Sequence, residues 1–260
     1  MKYDTLGPSV PSRIVVAGGC GGIGRELLRA GIALGHEMIV LDRTEAIEAA
    51  SVCDAVQCIS FDAVDPLSIA TAVSEVVSHH SHVDGFVFLC GYQQLPPRPV
   101  AEIALEDWDR LLSVNLRSLY LLAAGLLPLL HQARHPAIVT AASGMAYQTL
   151  GGKGSYSASK GGLISLTKTI AIENAPHLRA NVVAPGAVDT EFLGGGMAMD
   201  PNDRDRSTFD AIREKYVASI PLGRIAESCD VVGPILFLLG PASSYLTGQV
   251  LHLNGGRYTP

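Results

Sequence analysis

Tyr156-Ser157-Ala158-Ser159-Lys160 sets a phenol four residues ahead of an ammonium, a spacing that puts both on one face of a helix. A tyrosine with the ordinary pKa of about 10 is a weak base at neutral pH. Lowering it by roughly three units takes roughly 4 kcal/mol of preferential phenolate stabilisation, and a nearby cation is one source. Taken alone, such a pair is more often an exposed helix pair than a catalytic one, so the rest of the chain decides its meaning. A second set lies near the N-terminus, where Ala17-Gly18-Gly19-Cys20-Gly21-Gly22-Ile23-Gly24 follows an apolar run and precedes a helical one. Glycines there allow a tight turn and a close backbone approach to a pyrophosphate, and they present a helix N-terminus whose free N–H groups favour anions. Asp42, ending the next apolar run 18 residues after Gly24, is placed to accept hydrogen bonds from both hydroxyls of an adenosine ribose.

The elements that must position these residues follow from the alternation of apolar runs with segments of helical period. Strands are predicted at 13–17, 38–41, 56–60, 85–90, 137–141, 180–184 and 250–253, mostly as short continuous apolar runs of the kind buried on both faces of a parallel sheet. Amphipathic helices are predicted at 22–34, 66–77, 108–127, 155–174 and 229–239. Strand then helix, repeated without a linker or internal repeat, specifies a doubly wound α/β protein with a parallel sheet between two helical layers, a three-layer α/β/α single domain over 1–260. Residues 194–207, Gly-Gly-Gly-Met-Ala-Met-Asp-Pro-Asn-Asp-Arg-Asp-Arg-Ser, break the pattern. A loop this long inside a compact domain reads as a lid over a ligand, here spanning about 190–218.

Composition narrows the function classes. The 260 residues are 48% hydrophobic and only 17% charged, which excludes disorder and favours buried subunit contacts. A net charge of -6 is opposite in sign to the field that attracts phosphate backbones or anionic lipid, so no nucleic-acid or membrane partner is expected. The longest apolar stretch, Leu119 to Leu130, has 12 residues and reads as a buried helix; no secretory signal is expected, and a cytoplasmic protein is expected. Five cysteines without a Cys-x-x-Cys suggest reduced thiols rather than a disulfide framework or a zinc site. His79, His80 and His82, crowded at a helix end, read as solvated side chains, with no metal ligands expected.

With these motifs in this order, the chain resembles the short-chain dehydrogenase/reductase family over nearly its whole length. Gly18-x-x-x-Gly22-Ile23-Gly24 is similar to the family's cofactor loop, and Asp62 in Phe61-Asp62-Ala63-Val64-Asp65 to its adenine-contacting Asp. Asn115 in Val114-Asn115-Leu116, Ser143, Tyr156 and Lys160 match the family's tetrad, and Pro185-Gly186-Ala187-Val188-Asp189-Thr190 resembles the segment that holds the nicotinamide carboxamide. The tail around Asn254-Gly255-Gly256 resembles the family's as well. The resemblance implies a Rossmann-type fold and hydride transfer between a nicotinamide cofactor and an alcohol or ketone. It implies Tyr156 as general acid and base, Lys160 lowering its pKa and binding the nicotinamide ribose, Ser143 orienting the reacting oxygen, and Asn115 holding a water that links Lys160 to solvent. Cofactor contacts are then expected from Gly18, Cys20, Gly22, Ile23, Gly24, Asp42, Asp62, Ala63, Cys90, Gly91, Tyr156, Lys160, Pro185, Gly186, Val188 and Thr190, with no metal required.

Asp42 favours NAD(H) over NADP(H), because a 2′-phosphate would face its carboxylate, although Arg43 beside it is the contrary feature. Phe88-Leu89-Cys90-Gly91 stands where the family has Asn-Asn-Ala-Gly, and Ala17 where it has Thr, so two polar groups that contact each other are lost together. Tyr92, Met145, Tyr147, Leu150, Phe192, Met197 and Met199 are expected to face the substrate. None carries a fixed charge, so a neutral secondary alcohol or ketone is the expected substrate. The alternatives are a 3-oxoacyl thioester whose charged carrier meets Arg98, Arg117 or Lys153 outside the pocket, a sugar or polyol, or, in another class, a cofactor-binding regulatory protein without turnover. Gly161, Gly162, Leu163 and Leu166 on one helix and the Leu-rich helix after Asn115 offer more apolar face than one sheet covers, and a homo-oligomer, most simply a homotetramer, is expected.

Overall fold

The computed structural model describes residues 6–50, 56–194 and 206–259. Seven strands form one sheet: β1 (Arg13–Ala17), β2 (Glu37–Asp42), β3 (Gln57–Ser60), β4 (Gly85–Phe88), β5 (Ala137–Ala141), β6 (Arg179–Pro185) and β7 (Val250–Leu253). Their order is β3-β2-β1-β4-β5-β6-β7, and each pair is parallel. The helices are α1 (Gly22–Ala33), α2 (Thr44–Ala50), α3 (Pro66–His79), α4 (Leu105–Leu112), α5 (Ser118–Leu130), α6 (Gly154–Asn174), α7 (Ser207–Asp210), α8 (Arg213–Ala218) and α9 (Ser228–Leu239).

The period of two in a strand sends alternate β1 side chains to opposite layers. Ile14 and Val16 join a cluster with Leu27, Leu28, Val231 and Ile235 of α1 and α9, while Val15 and Ala17 join Ile69, Leu119, Leu122 and Leu163 of α3, α5 and α6. Both faces are therefore dry, which is why the strands carry apolar runs rather than alternation. The strand order turns between β1 and β4, so the chain leaves these neighbours toward opposite layers and opens a crevice at their carboxyl ends. Ala17 pairs with Phe88 in that register. The two positions that lost polar groups together thus meet across adjacent strands as a buried apolar contact, leaving no orphan.

Three expectations are corrected here. The helix read over 108–127 is two helices joined by a wider turn, Ser113–Arg117, in which the Ser118 N–H donates to the Ser113 carbonyl five residues back. The continuous stretch Leu105–Leu130 is 26 residues long and, by length and composition alone, apolar enough to cross a membrane; Leu119, Leu122, Leu126 and Leu130 are nevertheless taken up by the core. Cys58 on β3 is disulfide-bonded, whereas Cys20, Cys90 and Cys229 are free; an odd count without Cys-x-x-Cys carries no signal for such a link. Among the crowded histidines, His80 is not solvated: its side chain is largely buried between Gln57 and Glu37. Among the described residues no group of three or more His, Cys, Asp or Glu side chains is placed to hold a metal ion.

Candidate active site

The turn after β1 is built by glycines that have no room for a side chain. Gly18 has φ +80°, and a Cβ there would lie 2.8 Å from the Cys90 nitrogen. At Gly24 it would lie 2.4 Å from the Gly19 carbonyl oxygen, and at Gly22 2.5 Å from Thr190 Cγ2. Helix α1 starts at Gly22 with Gly21 as its N-cap, no side-chain cap and no acidic residue in its first turn. Its first N–H groups are left for a ligand, and the helix end favours an anion. Arg25 anchors the helix from the side, donating to the Cys20 carbonyl (2.7 Å) and pairing with Glu191 (2.6 Å).

Asp42 closes the adenosine end. Its two carboxylate oxygens accept the N–H groups of Cys20 and Arg43, each at 2.9 Å. Burial raises the Asp42 pKa, and those two bonds oppose the rise. Cys20 itself is a correction: its side chain is buried in the α1 layer rather than lining the cavity, and burial with the Asp42 charge pushes its thiol up to about 12. Its backbone N–H and its thiol both hydrogen-bond Asp42 and so orient that carboxylate. Asp62 lines the same end with Ala63; its Oδ1 accepts the Val64 N–H at 2.9 Å, and its own N–H donates to Ser68.

A single cavity of about 470 Å³ runs from this cradle to the helical layer of α6, with Gly18, Gly22, Ile23, Gly24, Asp42, Asp62, Ala63, Cys90, Gly91, Pro185, Gly186, Val188 and Thr190 along it. At its far end Ser143, Tyr156 and Lys160 come together. Ser143 ends the chain path from β5 and caps a short helical turn, its Oγ accepting the Met145 N–H at 3.1 Å. Tyr156 is only 5% exposed. Burial pushes its phenol up to about 12, with the Ser143 hydroxyl bond acting the other way. Lys160 donates to the Ala141 carbonyl at 2.9 Å, and its Nζ lies 5.8 Å from the Tyr156 ring centre. Burial lowers it to about 8. Gly91 leaves the ammonium its space, since a Cβ there would sit 3.2 Å from Nζ.

Asn115 lies behind this wall in the wide turn after α4. Its Oδ1 accepts the Tyr92 N–H (3.0 Å), and its Nδ2 donates to the Tyr92 carbonyl (3.0 Å) and to Ser159 Oγ (3.1 Å). The side chain clamps the segment after β4 to α6. The segment after β6 is held by a Val188–Ala226 bridge and by the Ala187 N–H donating to Tyr216 Oη at 3.1 Å. The described parts of the expected lid are Thr190 to Gly194, which runs against α6, and α7 and α8, which bring Phe209, Ile212 and Tyr216 to the cavity. Met197 and Met199 lie outside the described residues.

Tyr92, Met145, Leu150 and Phe192 line the end beside Tyr156, and the Phe192 ring lies 6.0 Å from that of Tyr156. Tyr147 does not: it is 43% exposed and packs edge-on to His252, because the short helical turn after Ser143 carries it to the outside. The expectation of a wall without fixed charge also fails. Lys153 lines the same end, buried, with its ammonium donating to Gln93 Oε1 and to the Gln94 carbonyl at 3.0 Å each. Arg98 and Arg117, also expected to meet a charged carrier, are engaged elsewhere, with Asp107 and with the Val64 carbonyl. Sequence reasoning missed Gln93, Tyr216 and the Arg25–Glu191 pair, since nothing in local spacing shows that residues so far apart share a wall.

Residues 18–258 match the family model described as enoyl-(acyl carrier protein) reductase, a stretch that takes in every glycine, acid and tetrad position above. The chain belongs to the short-chain dehydrogenase/reductase family. This oxidoreductase is 28% identical over 249 residues to a 3-oxoacyl-[acyl-carrier-protein] reductase of Escherichia coli (strain K12), covering 94% of this chain and 96% of that one. It is 33% identical over 259 residues to an uncharacterized oxidoreductase of Mycobacterium tuberculosis (strain ATCC 25618 / H37Rv), covering 94% and 90%. A solved short-chain dehydrogenase/reductase described as a glucose/ribitol dehydrogenase, from Brucella melitensis, superposes with a TM-score of 0.85 at 28% identity over 96% of this chain and 97% of that one. Family membership implies a nicotinamide cofactor. The uncapped helix end, the closed glycine turn and the carboxylate of Asp42 fit its pyrophosphate and a ribose diol.

Proposed function

We propose that the protein transfers a hydride between NAD(H) and a secondary alcohol or its ketone, with Tyr156 exchanging the proton. The observation that carries this reading is the meeting of Ser143, Tyr156 and Lys160 at one end of a cavity whose other end is the glycine turn and Asp42. When bound, the nicotinamide supplies or accepts the hydride; the chain contributes position and electrostatics. Ser143 Oγ and the Tyr156 phenol hold the reacting oxygen. A phenol at about 12 is protonated at neutral pH and is a ready donor to a ketone oxygen. In the oxidation direction it must first lose that proton, which the Lys160 ammonium favours. Replacing Tyr156 by Phe removes the transferable proton and keeps the ring: turnover should fall by about three orders of magnitude with NADH affinity little changed. Substantial turnover in that variant would remove Tyr156 from the reaction.

Asp42 supports NAD(H) over NADP(H), through like-charge contact with a 2′-phosphate in a partly desolvated position. Met145, Leu150 and Phe192 suit the carbon skeleton of the substrate. The second reading, reduction of a 3-oxoacyl thioester, is favoured by the likeness to the Escherichia coli enzyme of that name. Presence of the whole tetrad weighs against a regulatory protein without turnover. A cytoplasmic homotetramer completes the reading: Tyr120 on α5 and Ile172 on α6 stand 57% and 79% exposed, apolar side chains that a second copy would cover. Light scattering should give about four times the chain mass of 27.3 kDa, and a monomer at micromolar concentration would contradict it.

A further inference from the structure

We infer that the alcohol or ketone substrate carries a carboxylate a few carbons from the reacting carbon, and that Lys153, oriented by Gln93, receives it. The inference rests on the oxidoreductase reading and narrows its substrate to short hydroxy or oxo acids. Lys153 is 9% exposed and lines the cavity together with Tyr156. An ammonium has three protons. Two go to neutral oxygens, Gln93 Oε1 and the Gln94 carbonyl. Among the described residues Lys153 forms no ion pair, and burial lowers it to about 8 with no charged neighbour acting on it. A buried cation without a counter-charge is costly unless a ligand completes it.

The surroundings fix where that ligand sits. Gln93 cannot turn its amide round without loss, because its Nε2 donates to the Phe192 carbonyl at 3.2 Å while its Oε1 faces the ammonium. The start of α6 is held against the segment after β4: Gly152 has φ +77°, a Cβ there would lie 2.6 Å from Pro97 Cβ, and the Arg98 N–H donates to the Gly152 carbonyl. Lys153 is the N-cap of α6 and no side chain caps that helix end, which adds a partial positive charge to the ammonium. It precedes Tyr156 by three residues, with Tyr156 on the first turn of α6, and both side chains line the cavity. One small substrate can therefore offer its carbonyl oxygen to Tyr156 and its carboxylate to Lys153, with Met145 and Leu150 against the carbons between. A lysine that served only to staple the loop to the helix would need no place on the cavity wall.

The test compares a short 3-oxo acid with its methyl ester and with the corresponding acyl thioester, at saturating NADH. In the unmodified protein kcat/KM should favour the acid over the ester by about 100-fold, the scale of a buried charge pair. In Lys153→Met that ratio should collapse, through KM for the acid. A binding arm needs no turnover: a short monocarboxylate should raise the melting temperature of the protein with NADH, and its uncharged amide should not. Equal turnover of acid and ester by the unmodified protein, preference for the thioester, or no carboxylate-dependent rise in melting temperature would each overturn the inference. So would a Lys153→Met variant that loses acid and ester activity in equal measure, the mark of a staple. The comparison within the unmodified protein stands even where the variant does not fold. Turnover of neutral ketones without acid preference would sink the carboxylate and leave the oxidoreductase intact, whereas carboxylate binding with no turnover of any ketone would do the reverse.

Discussion

Replacing Lys160 by Met should move the rising limb of alcohol oxidation to higher pH by about 2 units. The Tyr156 phenol stands at about 12, so its use as a base near pH 8 asks for about four units, or roughly 5.5 kcal/mol, of added preference for the phenolate. The Lys160 ammonium lies 5.8 Å from the ring centre. At that separation and an effective dielectric of 20, a unit charge contributes about 3 kcal/mol, which is about 2 units. Lys160 and the Ser143 hydroxyl are already in place where the phenol stands at about 12, so the fall toward 8 is left to the cofactor's positive ring, and losing the Lys160 charge adds about 2 units to what must be overcome. The sign is fixed by the acid: removing a cation disfavours the phenolate, raises the pKa and demands a higher pH for the same fraction of base. Ketone reduction draws on the protonated phenol, so its pH profile should change much less. The assay is kcat/KM for alcohol oxidation from pH 6 to 10.5 at saturating NAD, for the unmodified protein and the variant. An unmoved limb in Lys160→Met would refute the electrostatic role, and a downward shift would mean that another group titrates. Because burial holds Lys160 itself near 8, its help should also fade above that pH.

Asp42→Asn removes the charge that a 2′-phosphate would meet while keeping the shape of the side chain, with one oxygen left to accept either the Cys20 or the Arg43 N–H; kcat/KM with NADPH relative to NADH should rise about tenfold or more, and an unchanged ratio would mean that Asp42 does not set cofactor choice. Arg179 donates to the carbonyls of Leu238, Leu239, Gly240 and Ser243 and to the Ser243 hydroxyl, filling the C-terminal end of α9. Arg179→Met should cost about 3 kcal/mol and lower the melting temperature by about 9 °C, measured by calorimetry, without altering cofactor affinity.

The sheet was legible because a strand buried on both faces leaves a local mark, a short apolar run, and seven of them alternate with helical segments. Observed strand limits differ from the sequence reading by no more than two residues, with β4 stopping at Phe88 where the chain bends into the crevice. The short helix α2 was missed, since seven residues show too little period to separate from a loop. The glycine turn and the Tyr156–Lys160 pair could be read for the same local reason, spacing within one turn or one helix, whereas Asp42 was read from its place at the end of the next apolar run and Asp62 only from the family resemblance.

What the tertiary structure decided is which side chains share a wall. Cys20 and Tyr147 sit within legible motifs yet turn into the core and to the surface, because neighbours far along the chain determine which direction is dry. Asn115 stands where the motif puts it, but its amide is given to Tyr92 and Ser159 by the wide turn between α4 and α5. Lys153 reads in the sequence as one of three exposed cations. Only when the segment after β4 packs Gln93 and Pro97 against the start of α6 does it become a buried charge beside Tyr156. Periodicity and spacing record how a segment meets its own backbone, whereas burial of a charge depends on atoms tens of residues away.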